Sequence, residues 1–187
     1  MSVQIDQSNA VIMPEAVFII GTYDENGVPN AMNAAWAGQI GPTMVSISLG
    51  GHRSTENIKK TKALTVSFAT KEYVEACDYV GIVSQNKVPD KLEKCGFTVT
   101  KSEKVNAPII DQLPVAIECK VVDIQEEYGE SRIVAEIVGM QADESVLTDG
   151  AVDLDKLHPI MFDTVAKCYR EIGANIGGAW VAGKKFE

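Results

Sequence analysis

Two short stretches of this chain hold the residue types that could do chemistry. In the first, Asn30, Ala31, Met32, Asn33, Ala34, Ala35 and Trp36 set two amides and an indole among residues with almost no side chain. A strand that only fed a core would prefer Val, Ile and Phe. Small residues instead let the backbone come close to something flat or charged and aim its N–H groups at it. The second stretch, Gly50 to Asn57, reads Gly-Gly-His-Arg-Ser-Thr-Glu-Asn. Arg53 offers a planar fork of donors suited to phosphate. Ser54 and Thr55 add hydroxyls, and a helix starting here would present unpaired N–H groups and the positive end of its dipole. Ser or Thr at a helix start also reads as a cap, and an Arg as a solvated surface residue. A flat ring with a phosphate tail is the ligand that both stretches together would fit. The chain has neither a G-x-x-x-x-G-K-[ST] loop nor a G-x-G-x-x-G turn.

These residues must be positioned by short strands. Ala16 to Thr22 is apolar and β-branched, Asp24-Glu25-Asn26-Gly27 is a strong turn, and Val28 to Ala37 reads as the returning strand of a hairpin. Met44 to Leu49 alternates with period two, and Ala63 to Ala69 is a fourth strand. A helix is expected over 54–62, with Ser54 or Thr55 capping its start. Others are expected over 73–83 and, closed by Gly96, near 89–96. Val115 to Gln125 and Ser131 to Met140 form a long hairpin, 154–157 reads as helical, and the Gly-rich end reads as loops. Six or more strands joined by tight turns predict an antiparallel sheet, closed or nearly closed into a barrel. The fold class expected is mainly β with short helices.

The chain's 187 residues suit one domain spanning 1–187. A net charge of −9 argues against general nucleic-acid binding, which needs a basic footprint. No apolar run approaches the roughly 20 residues that span a bilayer. The first residues lack the basic-then-apolar pattern of a secretory signal, so the cytoplasm is the expected location. Cys77, Cys95, Cys119 and Cys168 form no C-x-x-C pair and read as reduced thiols, and no metal site is expected. No Ser-His-Asp order or paired-carboxylate spacing suggests hydrolysis. Tyr169 and Arg170 read first as a solvated helix, with the border of the pocket as the second reading, His158 as a loop residue and Trp180 as packing or a dimer contact. His52 adjoins the phosphate-suited stretch.

The order of these segments resembles the flavin reductase-like family, the flavoredoxin group of FMN-binding split barrels. The likeness rests on Asn30–Trp36, Pro42–Leu49, Arg53–Ile58, the strand "ALTVSFAT", Asp78–Ser84, Asp90–Leu92 and Leu113–Val121. It runs from about Met13 to Phe186, and order and spacing carry it, since no single motif is specific. The resemblance implies an antiparallel split β-barrel and one non-covalent FMN per subunit of a homodimer. The family's phosphate grip maps onto Arg53, Ser54 and Thr55, with Asn57 assisting. Its ring contacts map onto Asn30–Trp36, Ser48 and Leu49. Ser84 and Lys91 match positions near the cofactor. The chain departs from the family where Gln85 follows Ser84 in place of the usual Gly.

Three functions follow as expectations. The first is an oxidoreductase passing electrons from NADH or NADPH through FMN to free flavin, ferric iron or a protein, with no catalytic acid or base. The second is a non-enzymatic FMN carrier serving a redox partner protein. The third is a split-barrel binding module for haem or pyridoxal phosphate.

Overall fold

The computed structural model describes residues 2–7 and 11–187. Its strands are β1 (Glu15–Ala16), β2 (Phe18–Tyr23), β3 (Pro29–Ala34), β4 (Ala37–Gly41), β5 (Met44–Leu49), β6 (Ala63–Phe68), β7 (Val99–Lys101), β8 (Pro108–Ile110), β9 (Val115–Glu127), β10 (Glu130–Ala142), β11 (Leu147–Thr148), β12 (Ala151–Val152), β13 (Ile160–Asp163) and β14 (Cys168–Glu171). The α-helices are α1 (Arg53–Thr61), α2 (Val74–Ile82), α3 (Lys91–Lys94) and α4 (Leu154–Leu157).

Turn chemistry sets the hairpins. Asp24 Oδ1 accepts the N–H groups of Asn26 and Val28, and Gly27 takes φ +78°, which folds β3 back onto β2. Tyr128 and Gly129 both have positive φ, the two-residue turn that matches strand twist, so β9 and β10 pair along nearly their whole length.

Seven strands form one antiparallel sheet in the order β3-β2-β6-β9-β10-β5-β4. Its two edges, β3 and β4, are consecutive in the chain and joined only by Ala35 and Trp36. A flat sheet could not place its opposite edges two residues apart, so the sheet must curl until they almost meet. At this seam Ser48 N–H donates to the Trp36 carbonyl at 2.9 Å, while β3 and β4 do not pair. The result is a barrel left split, with Asn30–Trp36 at the split. The expected single strand over 28–37 is therefore two things, β3 and a corner.

Ile20, Ile47, Leu49, Ile58, Leu64, Val66 and Ile133 fill the inside of the curl. Val17, Ile19, Ala31, Cys77, Val80, Leu92 and Ile110 form a second core, which brings α2 and α3 against the sheet. Gly21 is required where these layers meet: a Cβ there would lie 2.4 Å from Thr65 Oγ1 and 2.6 Å from the Pro108 carbonyl oxygen. The C-terminal segment differs from expectation. Tyr169 and Arg170 lie in β14, paired with β13 and through it with β1. All four cysteines are free. Burial pushes the Cys77 and Cys119 thiols up to about 12, which makes them inert core residues. No helix among the described residues is long and apolar enough to cross a membrane.

Candidate functional site

The seam opens into a cleft with two halves that meet at Met32, His52, Gly81 and Ile82. The apolar half encloses about 420 Å³ and is lined by Met32 through Trp36, Ser48, Leu49 and Gly50, with Ile82 and Phe162 beside them. The polar half encloses about 360 Å³ and is lined by Asn30, Arg53, Ser54, Ser84, Gln85 and Lys91 among others. A larger cavity of about 680 Å³ near His158 and Lys71 holds none of the residues singled out from the sequence as a site.

The start of α1 builds the polar half. His52 is its N-cap but makes no side-chain capping bond. Thr55, placed to cap, instead donates to the Gly50 carbonyl at 2.7 Å. Ser54 is buried and accepts from Asn30 Nδ2 at 2.9 Å. The capping role expected of Ser54 or Thr55 is thus unfilled, because both hydroxyls face other partners. The first N–H groups of a helix have no internal acceptor, so this end is left open to an anion.

Asn30 carries a second signal. Its side-chain oxygen is buried and has no partner. A buried polar atom without a partner costs about 1–3 kcal/mol, so it marks a place where a ligand group belongs. Because a serine hydroxyl both donates and accepts, the Asn30 amide can offer its free end to a sugar hydroxyl or to a phosphate oxygen.

Lys91 is almost fully buried and donates to the carbonyls of Val80 at 2.9 Å and Val83 at 3.0 Å. It thereby neutralises the negative end of α2. An ammonium has three donors, so one remains. Burial lowers its pKa to about 8. Arg53 is less free than its sequence context suggests. It is bound by Asp24 at 3.0 Å and lies 3.6 Å from Glu56. Two backbone N–H bonds, burial in opposition and the Arg53 guanidinium together hold the Asp24 carboxyl below its usual value, the bond from Val28 having the largest effect.

The remaining sequence-selected residues divide. Met32, Asn33, Ala34, Ala35, Trp36, Ser48 and Leu49 come together in the apolar half. Ala31, Thr55 and Asn57 do not line the cleft. Ala31 packs in the core with Ile19 and Cys77, and Asn57 donates to Thr22 Oγ1 at 3.1 Å. Ser84 is exposed at the rim of the polar half, where its hydroxyl accepts from Asn86 N–H. Gln85, the departure from the family pattern, is buried and donates to the Pro29 carbonyl at 2.6 Å, fastening the loop to the edge of β3.

Sequence reading preferred a solvated helix for Tyr169 and passed over Glu130, yet both line the cleft together with Asp78. Asp78 of α2 accepts from the Tyr169 hydroxyl at 2.6 Å, and Glu130 accepts from Ser48 Oγ at 2.5 Å. Burial, then Asp78, raises the Tyr169 pKa far above the usual tyrosine value, so the phenol stays protonated. Gly81 lies so near that a Cβ there would sit 2.2 Å from the Asn33 amide. Asp78 opens the "DYVGIVS" segment of the family likeness, and Tyr169 has the pocket border as its second reading; Glu130 carries no local signal.

A curled antiparallel sheet with a two-part cleft along its seam defines a split-barrel protein. The flavin reductase like domain matches residues 10–161, and the chain belongs to that family. It is similar to the flavoredoxin of Desulfovibrio vulgaris (Miyazaki F), with 33% identity, 98% of each chain covered and a TM-score of 0.88. The flavoredoxin of Methanosarcina acetivorans is 26% identical over 100% of both chains, with a TM-score of 0.91. A flavin reductase with a split barrel domain from Shewanella frigidimarina shares the fold at 22% identity and a TM-score of 0.76, over 88% of this chain and 86% of its own.

Proposed function

We propose that this chain is an FMN-binding oxidoreductase, taking electrons from NADH or NADPH and passing them to free flavin, ferric iron or a protein. One observation carries the reading: a small-residue, mostly apolar cleft runs directly into an uncapped helix start with the unpartnered buried amide oxygen of Asn30 beside it. That arrangement suits a ring with a phosphorylated polyol tail. When bound, FMN would supply the electron-transfer chemistry, and the protein its grip and orientation.

Each residue then has a task. The first N–H groups of α1, Arg53 and the third donor of Lys91 would hold the phosphate. Asn30 and Ser54 would meet the polyol. Met32 to Trp36, Ser48 and Leu49 would border the ring, with backbone N–H groups near its polar edge favouring a negatively charged reduced form. No side chain needs to act as general acid or base. The flavoredoxin likeness supports the same reading, and with it a homodimer and a cytoplasmic location.

The test is the visible spectrum of the purified protein, followed by NADH or NADPH under nitrogen. Twin flavin bands that bleach with nicotinamide nucleotide are the expected result. Flavin bands that bleach only with dithionite would mean a carrier fed by a partner protein. A haem or pyridoxal phosphate spectrum, or refusal of added FMN, would overturn the proposal.

A further inference from the structure

The two halves of the cleft differ sharply in charge. Arg53 and Lys91, the strong cations of the site, both line the polar half, where Glu56 is the one carboxylate of the lining and, with Asp24, offsets Arg53. The apolar half has no Lys or Arg among its described lining residues, but two carboxylates, Asp78 from α2 and Glu130 from the start of β10. Both are held in place by a hydroxyl, from Tyr169 at 2.6 Å and Ser48 at 2.5 Å. Trp36 stands in the same lining and is 62% exposed.

We propose that Asp78 and Glu130 set the class of electron acceptor, admitting cationic or neutral molecules to the ring end of the cleft and disfavouring anions. This rests on the FMN reading for its chemistry but not for its electrostatics. Phosphate is drawn to one end by Arg53 and Lys91, and a reactant at the other end meets only carboxylate charge. Two unit charges about 8 Å apart in water change a local ion concentration about two-fold, and the effect grows where the walls exclude water.

Flavin-free protein gives the first measurement. The chain has two tryptophans, Trp36 and Trp180, so a Trp180→Phe background isolates Trp36 fluorescence. Quenching by iodide is expected to be weak relative to caesium. Glu130→Gln and Asp78→Asn should each raise iodide quenching about two-fold. Neutral acrylamide should quench all three proteins alike, which checks that exposure and folding are unchanged. Iodide quenching that ignores both substitutions while acrylamide quenching stays constant overturns the inference. This arm is readable even if FMN does not bind, so it fails separately from the functional reading.

The second measurement uses protein loaded with FMN and reduced by dithionite. Hexaammineruthenium(III) and ferricyanide each accept one electron, so two equivalents of either reoxidise the two-electron-reduced protein. In the double variant the ferricyanide rate should rise and the hexaammineruthenium rate fall, several-fold in their ratio. An unchanged ratio refutes a role in acceptor choice.

Discussion

Lys91 should make FMN affinity fall as pH rises from neutral to mildly alkaline. The perturbation is a rise from pH 7 to pH 9. Burial puts its pKa at about 8 in the free protein, so the charged fraction falls from about nine-tenths to about one-tenth, roughly a ten-fold change. The phosphate itself, with a second pKa of about 6, keeps its charge across this range. Cys95, the thiol beside Lys91, is held above its ordinary value by burial. Arg53 stays charged throughout. A bound dianion favours the protonated amine, so binding raises the lysine pKa and loosens as pH climbs through 8. With the charged amine worth about ten-fold in affinity, the expected result is a dissociation constant about five-fold larger at pH 9 than at pH 7, or about 1 kcal/mol. Titration of FMN fluorescence at fixed ionic strength measures it. Lys91→Met should bind about ten-fold more weakly at pH 7 and show no slope. A wild-type protein with flat affinity, or a Lys91→Met protein that keeps the slope, would refute the reasoning.

Arg53→Ala should weaken FMN binding by about 1.5–3 kcal/mol, the usual worth of a hydrogen bond to a charged group, and isothermal titration checks it. Unchanged affinity would mean that the Asp24 pairing keeps Arg53 from the phosphate altogether. Gly81→Ala must displace the Asn33 side chain from the cleft lining, since the new Cβ would lie 2.2 Å from its amide. We expect about 1–3 kcal/mol of lost FMN affinity, recovered when Asn33→Ala is added, with the flavin absorption band as a second readout. Gly21→Ala meets the Pro108 carbonyl at 2.6 Å, and backbone cannot step aside. Urea unfolding should show a loss of about 2–4 kcal/mol, and a midpoint within error of wild type would sink that account of the core.

Most of what could be read from the sequence was local. The Asp24–Gly27 and Tyr128–Gly129 turns announce themselves by residue type, and β5 by its alternation. The corner at Ala35 and Trp36 does not, because nothing in "NAAWAG" separates a strand from a strand that leaves its sheet. The β13–β14 hairpin turns at Lys167, a non-glycine residue at φ +52°, so no Gly or Pro marks it. The candidate site shows the same division. Asn30, Ser54 and Arg53 stood out by type, and the cleft gathers them. That Arg53 is held by Asp24 was invisible, since the two are separated by 29 positions. Asp78 and Tyr169 lie 91 positions apart, and only the folded sheet brings them within 2.6 Å.

The two-residue seam between β3 and β4 also bears on solubility. Exposed rows of unpaired backbone groups invite other chains to add strands, and proteins generally blunt or cover them. Here the curl brings both edges to the mouth of the cleft, where α2 and Gln85 cover part of β3 while β4 stays largely open. A ligand lying across it would hide the surface most able to template self-association. Cofactor loss would then expose a sticky border as well as an empty pocket, tying the chain's colloidal behaviour to its cofactor supply.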